Sequence, residues 1–115
     1  IAPQEFVQRA SVVAWGDEQH VERARAAYAR KRALFLELFG RKHVRGAGGA
    51  ATMYLWVQAP AGESSEHHAE RLLGHGIVVA PGSFLGPSGE GYVRYALVPI
   101  EEECERAVEI LERVL

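Results

Sequence analysis

Cysteine is all but missing from this 115-residue chain, in which Cys104 stands alone. A single cysteine excludes an internal disulfide framework and fits a reducing compartment. Cys104 lies at helical spacing with Ala107, Val108 and Leu111, with no His or cation close in sequence to lower its pKa. It reads as a small packed residue, not a nucleophile. Long apolar runs are missing too. Runs such as Ile77 to Pro81 fall far short of a bilayer span, so no membrane partner is expected. No basic start followed by an apolar block marks a secretory signal. The chain opens on Ile1 instead of Met, from which we expect a processed or truncated product.

Nucleotide fingerprints are absent as well. Gly86-x-x-Gly89-x-Gly91 precedes a strand pattern and has the wrong spacing for a phosphate loop, and no Gly-Lys-Ser/Thr occurs. The histidines, His20, His43, His67, His68 and His75, include no i, i+4 pair that would put two zinc ligands on one helix face, so no metal is expected. His67 and His68 point about 100° apart in the first turn of a helix, where solvated polar residues are usual.

What is present is an ordinary globular composition, 48% hydrophobic and 24% charged, in a length suited to one compact domain. The net charge of −2 conceals an asymmetry. Residues 1–45 carry nine Lys/Arg against five Asp/Glu, and residues 46–115 carry four against ten. The basic cluster, Arg23, Arg25, Arg30, Lys31, Arg32, Arg41, Lys42 and Arg45, lacks interleaved aromatics. It reads as a solvated helix face and not as a nucleic-acid surface.

Periodicity predicts a helix over 3–15 with Phe6, Val7, Ala10, Val13 and Ala14 on one side, stopped at Gly16. Asp17 is positioned to cap a second, long helix with the stripe Val21, Ala24, Tyr28, Phe35, Leu38 and Phe39, running to Gly40. A flexible stretch, Gly46–Ala50, leads to a strand over Thr52–Val57 that closes at Pro60. Ser64 or Ser65 caps a helix from Glu66 to Leu73, terminated by Gly74 and Gly76. Ile77–Ala80 reads as a short strand of the fully buried kind. A loop over Pro81–Gly91 then feeds a strand over Tyr92–Val98, and Pro99 opens a last helix, whose first-turn carboxylates Glu101–Glu103 suit the helix dipole. The class this order predicts is α+β: long N-terminal helices followed by a small mixed sheet of about three strands, covered by helices.

Arg94 is the candidate functional residue. Of the four cations after residue 45, Arg71, Arg106 and Arg113 fall in helical segments, and Arg94 alone sits in a strand. Alternation puts Val93, Tyr95 and Leu97 on one face and Tyr92, Arg94 and Ala96 on the other. A guanidinium there presents a planar fork of donors that matches a carboxylate or phosphate. On alternation alone, an exposed surface arginine is the more ordinary reading.

The run Pro81-Gly82-Ser83-Phe84 through Gly89-Glu90-Gly91-Tyr92-Val93-Arg94-Tyr95-Ala96-Leu97-Val98 resembles the C-terminal domain of class I/II aminotransferases, the pyridoxal-phosphate enzymes of the aspartate aminotransferase fold. Gly-Glu-Gly-Tyr-Val-Arg is most similar to succinyldiaminopimelate transaminases of lysine synthesis. The resemblance implies that residues 1–16 end a large-domain helix, that 17–40 form the long inter-domain helix, and that 41–115 form the small C-terminal domain. It implies that Arg94 binds the α-carboxylate of an amino-acid or 2-oxo-acid substrate, with Phe84 near the mouth of the active site. It further implies pyridoxal 5′-phosphate and a cytoplasmic homodimer for the parent enzyme.

The family's cofactor lysine sits in a Ser/Thr-x-Ser-Lys context. The only lysines here, Lys31 in Ala29-Arg30-Lys31-Arg32 and Lys42 in Gly40-Arg41-Lys42-His43, do not match it. No catalytic or cofactor-binding residue is therefore expected in this chain, and the chain alone is expected to be inactive. The alternative is a non-catalytic module that binds small carboxylates or serves dimerisation.

Overall fold

The computed structural model describes residues 2–47 and 50–115, the Ala47 side chain excepted. Helix α1 spans Glu5–Gly16 and helix α2 spans Glu18–Arg41. Between them Asp17 accepts a hydrogen bond from the Gln19 N–H at 3.0 Å, the cap expected from its short acceptor side chain. No residue of α1 is buried, and Trp15 is 86% exposed, so the apolar side predicted for this helix is not covered by the described residues.

The second half of α2 is built into the core. Phe35, Leu38 and Phe39 pack with Leu55, Val57, Val93, Tyr95 and Leu97 from the sheet and with Cys104 and Leu111 from the last helix. Phe35, Phe39 and Tyr95 form a three-ring cluster with centroids 5.4–6.1 Å apart. Each such pair adds about 0.5–1.5 kcal/mol beyond its buried area.

Four strands follow the order β1-β2-β4-β3: β1 Gly46–Ala47, β2 Tyr54–Gln58, β3 Ala80–Pro81 and β4 Tyr92–Ala96. Every pairing is antiparallel, so the sheet is not mixed. The reason lies in the connections. Helix α3, Ser65–Leu73, carries the chain across from β2 to β3, and β4 then folds back between the two. The glycine stretch expected as flexible contributes β1 at Gly46–Ala47, while Gly48 and Gly49 lie outside the described residues.

The buried strand expected over Ile77–Ala80 is reduced to Ala80–Pro81, and Val78 is 79% exposed. Backbone groups just before it are already spent on ending α3. Gly76, at φ 81°, donates to Leu73 O, and Ile77 N–H donates to Leu72 O at 3.0 Å. This is a Schellman cap, in which the residue after the glycine packs back on the last turn. Ile77 and Leu72 both lie in the core. The chain reaches the sheet edge only at Ala80, and Pro81, with no N–H to donate, suits an edge.

Helix α4, Glu101–Val114, closes the fold, with Glu103 accepting from the Ile100 N–H at 3.2 Å. It explains the charge asymmetry. Arg30 pairs with Glu101 at 3.2 Å and Arg41 with Glu112 at 2.8 Å, so part of the basic face of α2 lies against acidic α4. These pairs are exposed, and solvent screening leaves them little weight in stability. Lys31 departs further from a solvated face, being only 8% exposed.

His68 is also buried, where a solvated first-turn residue was expected. It shares the inner stripe of α3 with Ala69 and Leu72, and its partners explain its tolerance there. Glu63 accepts from Arg71 Nε at 2.9 Å and Nη2 at 3.0 Å, and lies 3.0 Å from His68 Nδ1. The same Nδ1 lies 3.0 Å from Arg71 Nη2, so this nitrogen either donates to Glu63 or accepts from Arg71, according to its tautomer. Arg71 also donates to Val114 O at 3.1 Å, tying α3 to the end of α4. The Arg71 guanidinium holds the Glu63 carboxyl down at about 2, and burial lowers the His68 imidazole.

Candidate functional site

The Pro81–Gly91 loop decides how β4 starts. Two short 3₁₀ turns, Gly82–Leu85 and Pro87–Gly89, meet back to back at Gly82 and Gly89, where a Cβ on either residue would run into the other's backbone carbonyl. Gly86 at φ 122° and Gly91 at φ 81° take conformations that other residues reach only with strain.

Glu90 fastens this loop to α3. Its two carboxylate oxygens accept from the Ser65 N–H and the Ser65 hydroxyl, each at 2.8 Å. The Ser83 N–H in turn donates to the Ser65 hydroxyl at 3.3 Å. The Ser65 backbone and hydroxyl hydrogen bonds hold the Glu90 carboxyl below its ordinary range. Ser64, one residue earlier, is the helix cap, accepting from the His67 N–H at 3.2 Å.

The loop delivers Tyr92, Arg94 and Ala96 to the face of the sheet opposite the core, as alternation requires, while Val93 and Tyr95 are buried. Leu55 and Val57 of β2 face the core too, so Tyr54, Trp56 and Gln58 join the outer face. Registry puts Arg94 directly between Trp56 on one side and Ala80 on the other. The aromatic rings engage along the diagonals. Trp56 stacks on Tyr92, with centroids 5.7 Å apart and planes 7° from parallel. The Arg94 guanidinium carbon lies 4.5 Å from the centre of the Tyr54 ring.

Arg94 is half-buried. Among the described residues it forms no ion pair, whereas Arg9, Arg30, Arg41 and Arg71 all do. Nor does its side chain donate a hydrogen bond to any described residue. A guanidinium whose five donors are unspent among the described residues, on a sheet face that no described helix covers, is suited to taking a planar anion.

The other predicted site residue is not gathered with it. Phe84 is 74% exposed on the first 3₁₀ turn and lines a shallow groove with Glu66, Ala69, Leu73 and Val79, in which Arg94 takes no part. Two features went unread in the sequence: the aromatic company of Arg94 and the Ser65–Glu90 clasp. The first had a signal, because period two along Tyr54–Gln58 already sets Tyr54 and Trp56 on one face. The second is a contact across 25 positions with no local signature.

The two lysines are committed elsewhere. Lys31 Nζ donates to Leu97 O at 2.8 Å and Pro99 O at 2.7 Å, and lies 4.8 Å from the Tyr28 ring centre. Lys42 Nζ donates to Glu112 O. Among the described residues no group of three or more His, Cys, Asp or Glu is placed to hold a metal ion. No helix among them is long and apolar enough to cross a membrane.

No family model matches the chain. Individual proteins do. The chain is 39% identical over 102 residues to a probable aminotransferase of Mycobacterium tuberculosis, covering 89% of this chain and 24% of that protein. The likeness is to aminotransferases. An LL-diaminopimelate aminotransferase of Moorella thermoacetica is 34% identical over 111 residues, covering 95% of this chain and 28% of that protein. Among solved structures, an aromatic aminotransferase from Pyrococcus horikoshii superposes with a TM-score of 0.88 at 32% identity, covering 99% of this chain and 32% of that one. These aminotransferases share the aspartate aminotransferase fold, and the match falls in their C-terminal region. The chain thus spans about a quarter of the length of the curated relatives it matches. The α+β class expected from the sequence is the class of these neighbours.

Proposed function

We propose that this chain is the C-terminal portion of a pyridoxal-phosphate-dependent aminotransferase, in which Arg94 binds the α-carboxylate of an amino-acid or 2-oxo-acid substrate. The observation that carries the reading is the unspent guanidinium fork of Arg94 on the uncovered sheet face. Held there, it would fix one end of the substrate with two parallel hydrogen bonds and a charge. That lowers the entropic part of the barrier for proton transfer at the neighbouring carbon.

In this reading residues 1–16 end a large-domain helix, 17–40 link the domains, and 41–115 form the small domain. The printed name of the Moorella relative supports a diaminopimelate-type substrate, and LL-diaminopimelate fits the comparisons better than the succinylated compound. The whole enzyme is proposed to be a cytoplasmic homodimer.

The residues present do not fit the cofactor. Pyridoxal phosphate supplies an electron sink through a link to a lysine amine, and both lysines here spend that amine on backbone carbonyls. The chain alone is therefore proposed to be inactive. This same observation favours a second reading for the isolated chain, a module that binds small carboxylates without converting them.

Arg94→Ala and Arg94→Lys in the full-length protein test the proposal. Losing a bidentate, charge-assisted contact costs about 2–4 kcal/mol, so kcat/KM for the amino acid should fall roughly 30- to 1,000-fold. Lysine, a point charge, should recover only part of it. An unchanged KM for both amino acid and oxo acid would remove the carboxylate role.

A further inference from the structure

We propose that Tyr54 is a positioning residue for Arg94, pre-ordering the guanidinium by stacking and so setting the affinity for carboxylate substrates. The proposal rests on the reading of Arg94 as the carboxylate binder. Tyr54 pairs with Ala96 across the ladder and reaches Arg94 along the diagonal, with the guanidinium carbon 4.5 Å from its ring centre. Ala96 stands opposite Tyr54, and Arg94 has Ala80 on one side and Trp56 on the other. The remaining ring of β2 is engaged elsewhere, because Trp56 is stacked on Tyr92.

The kind of contact matters. An arginine is usually held in place by a carboxylate, which consumes the donors that a substrate needs. A ring face holds the guanidinium through its π electrons and leaves every N–H, all lying in the guanidinium plane, available at the edge. An arginine with four free torsions carries a large rotamer entropy, and ordering it beforehand removes that cost from substrate binding. The Tyr54 hydroxyl has no part in this. The bond made by Tyr54 itself is that of its backbone N–H to the Thr52 hydroxyl at 3.1 Å.

The test compares Tyr54→Phe, Tyr54→Leu, Arg94→Ala and the Tyr54→Leu/Arg94→Ala pair in the full-length protein, by steady-state kinetics with the amino acid and with the oxo acid. Phenylalanine should keep KM within about twofold of wild type. Leucine, which keeps bulk but not the ring, should raise KM about 2- to 30-fold while kcat at saturation stays within about twofold. In the Arg94→Ala background the same leucine should change KM no further, because the two residues act as one unit.

A second reading comes from NMR of the chain itself. The Arg94 Nε–H resonance should be shifted upfield by the Tyr54 ring in wild type and Tyr54→Phe, and should lose that shift in Tyr54→Leu. If Arg94→Ala leaves KM unchanged, the carboxylate reading has failed and this proposal falls with it. If Arg94→Ala raises KM and Tyr54→Leu does not, or if leucine adds a full further loss in the Arg94→Ala background, only the positioning role is overturned.

Discussion

Replacing Glu63 with Gln isolates the charge at the centre of the α3–α4 joint while preserving its shape. The carboxyl group is held at about 2 in the folded chain against an ordinary 4.5, first by the hydrogen bonds from Arg71. At about 1.4 kcal/mol per pKa unit, that depression stabilises the folded state by about 3 kcal/mol. Part of the carboxyl group meets solvent, whose screening makes about 3 kcal/mol the upper limit of this contribution.

The sign follows from the direction. The folded pKa lies below the unfolded one, so the contribution is complete above about pH 5 and is lost as the pH falls toward 2. His68 acts in the same sense, since burial lowers its imidazole and acid favours the unfolded, protonated form. Urea denaturation followed by far-UV circular dichroism is the assay. At pH 7, Glu63→Gln should lower stability by about 1–3 kcal/mol, moving the midpoint down by roughly 0.5–3 M. At pH 3 the wild type has lost much of the contribution, and less than half of the gap should remain. A gap of the same size at both pH values would refute the electrostatic account, and no gap at pH 7 would refute the joint itself.

Lys31→Met should cost about 2–3 kcal/mol in the same assay at pH 7, because it strands the carbonyls of Leu97 and Pro99 in a partly dry setting. A loss below about 0.5 kcal/mol would mean that water replaces the amine freely. Tyr95→Phe should leave stability unchanged or raise it by up to about 1 kcal/mol. The Tyr95 hydroxyl is buried without a partner among the described residues, and burial pushes its pKa well up. A clear destabilisation by Tyr95→Phe would reveal a hydrogen bond there.

Local chemistry was legible in the chain, and lateral contacts were not. Asp17 announces itself as a cap, because the cap needs only a short acceptor before a helical pattern, and the same rule narrowed the next cap to Ser64 or Ser65, of which Ser64 serves. Alternation along β4 placed Arg94 on the correct face for the same reason, with one strand carrying all the information. His68 and Lys31 were misread as solvated because their type outweighed their position. Lys31 lies one turn before Phe35 on the α2 stripe, and His68 one turn before Leu72 on α3. Both positions point inward, and partners neutralise the cost: carbonyls far along the chain for Lys31, and the nearby Glu63 and Arg71 for His68. Ile77–Val79 was misread because apolar content says nothing about where the backbone N–H groups go. The ring under Arg94 depends on the β2–β4 register, which no single segment contains.

The bond from Lys31 to Leu97 and Pro99 has a mechanical consequence. It welds the middle of α2 to the exit of the strand that bears Arg94, three residues downstream of that side chain. From Asp17 to Lys31 the helix rises about 21 Å at about 1.5 Å per residue. A turn of about 10° at the Asp17 elbow would swing that weld by roughly 4 Å over such a length, and the arginine would travel with it. The rod and the fork are thus coupled as one crank, whose throw is set by the length of a helix and whose grip is the Lys31 ammonium together with the packed rings of Phe35 and Phe39.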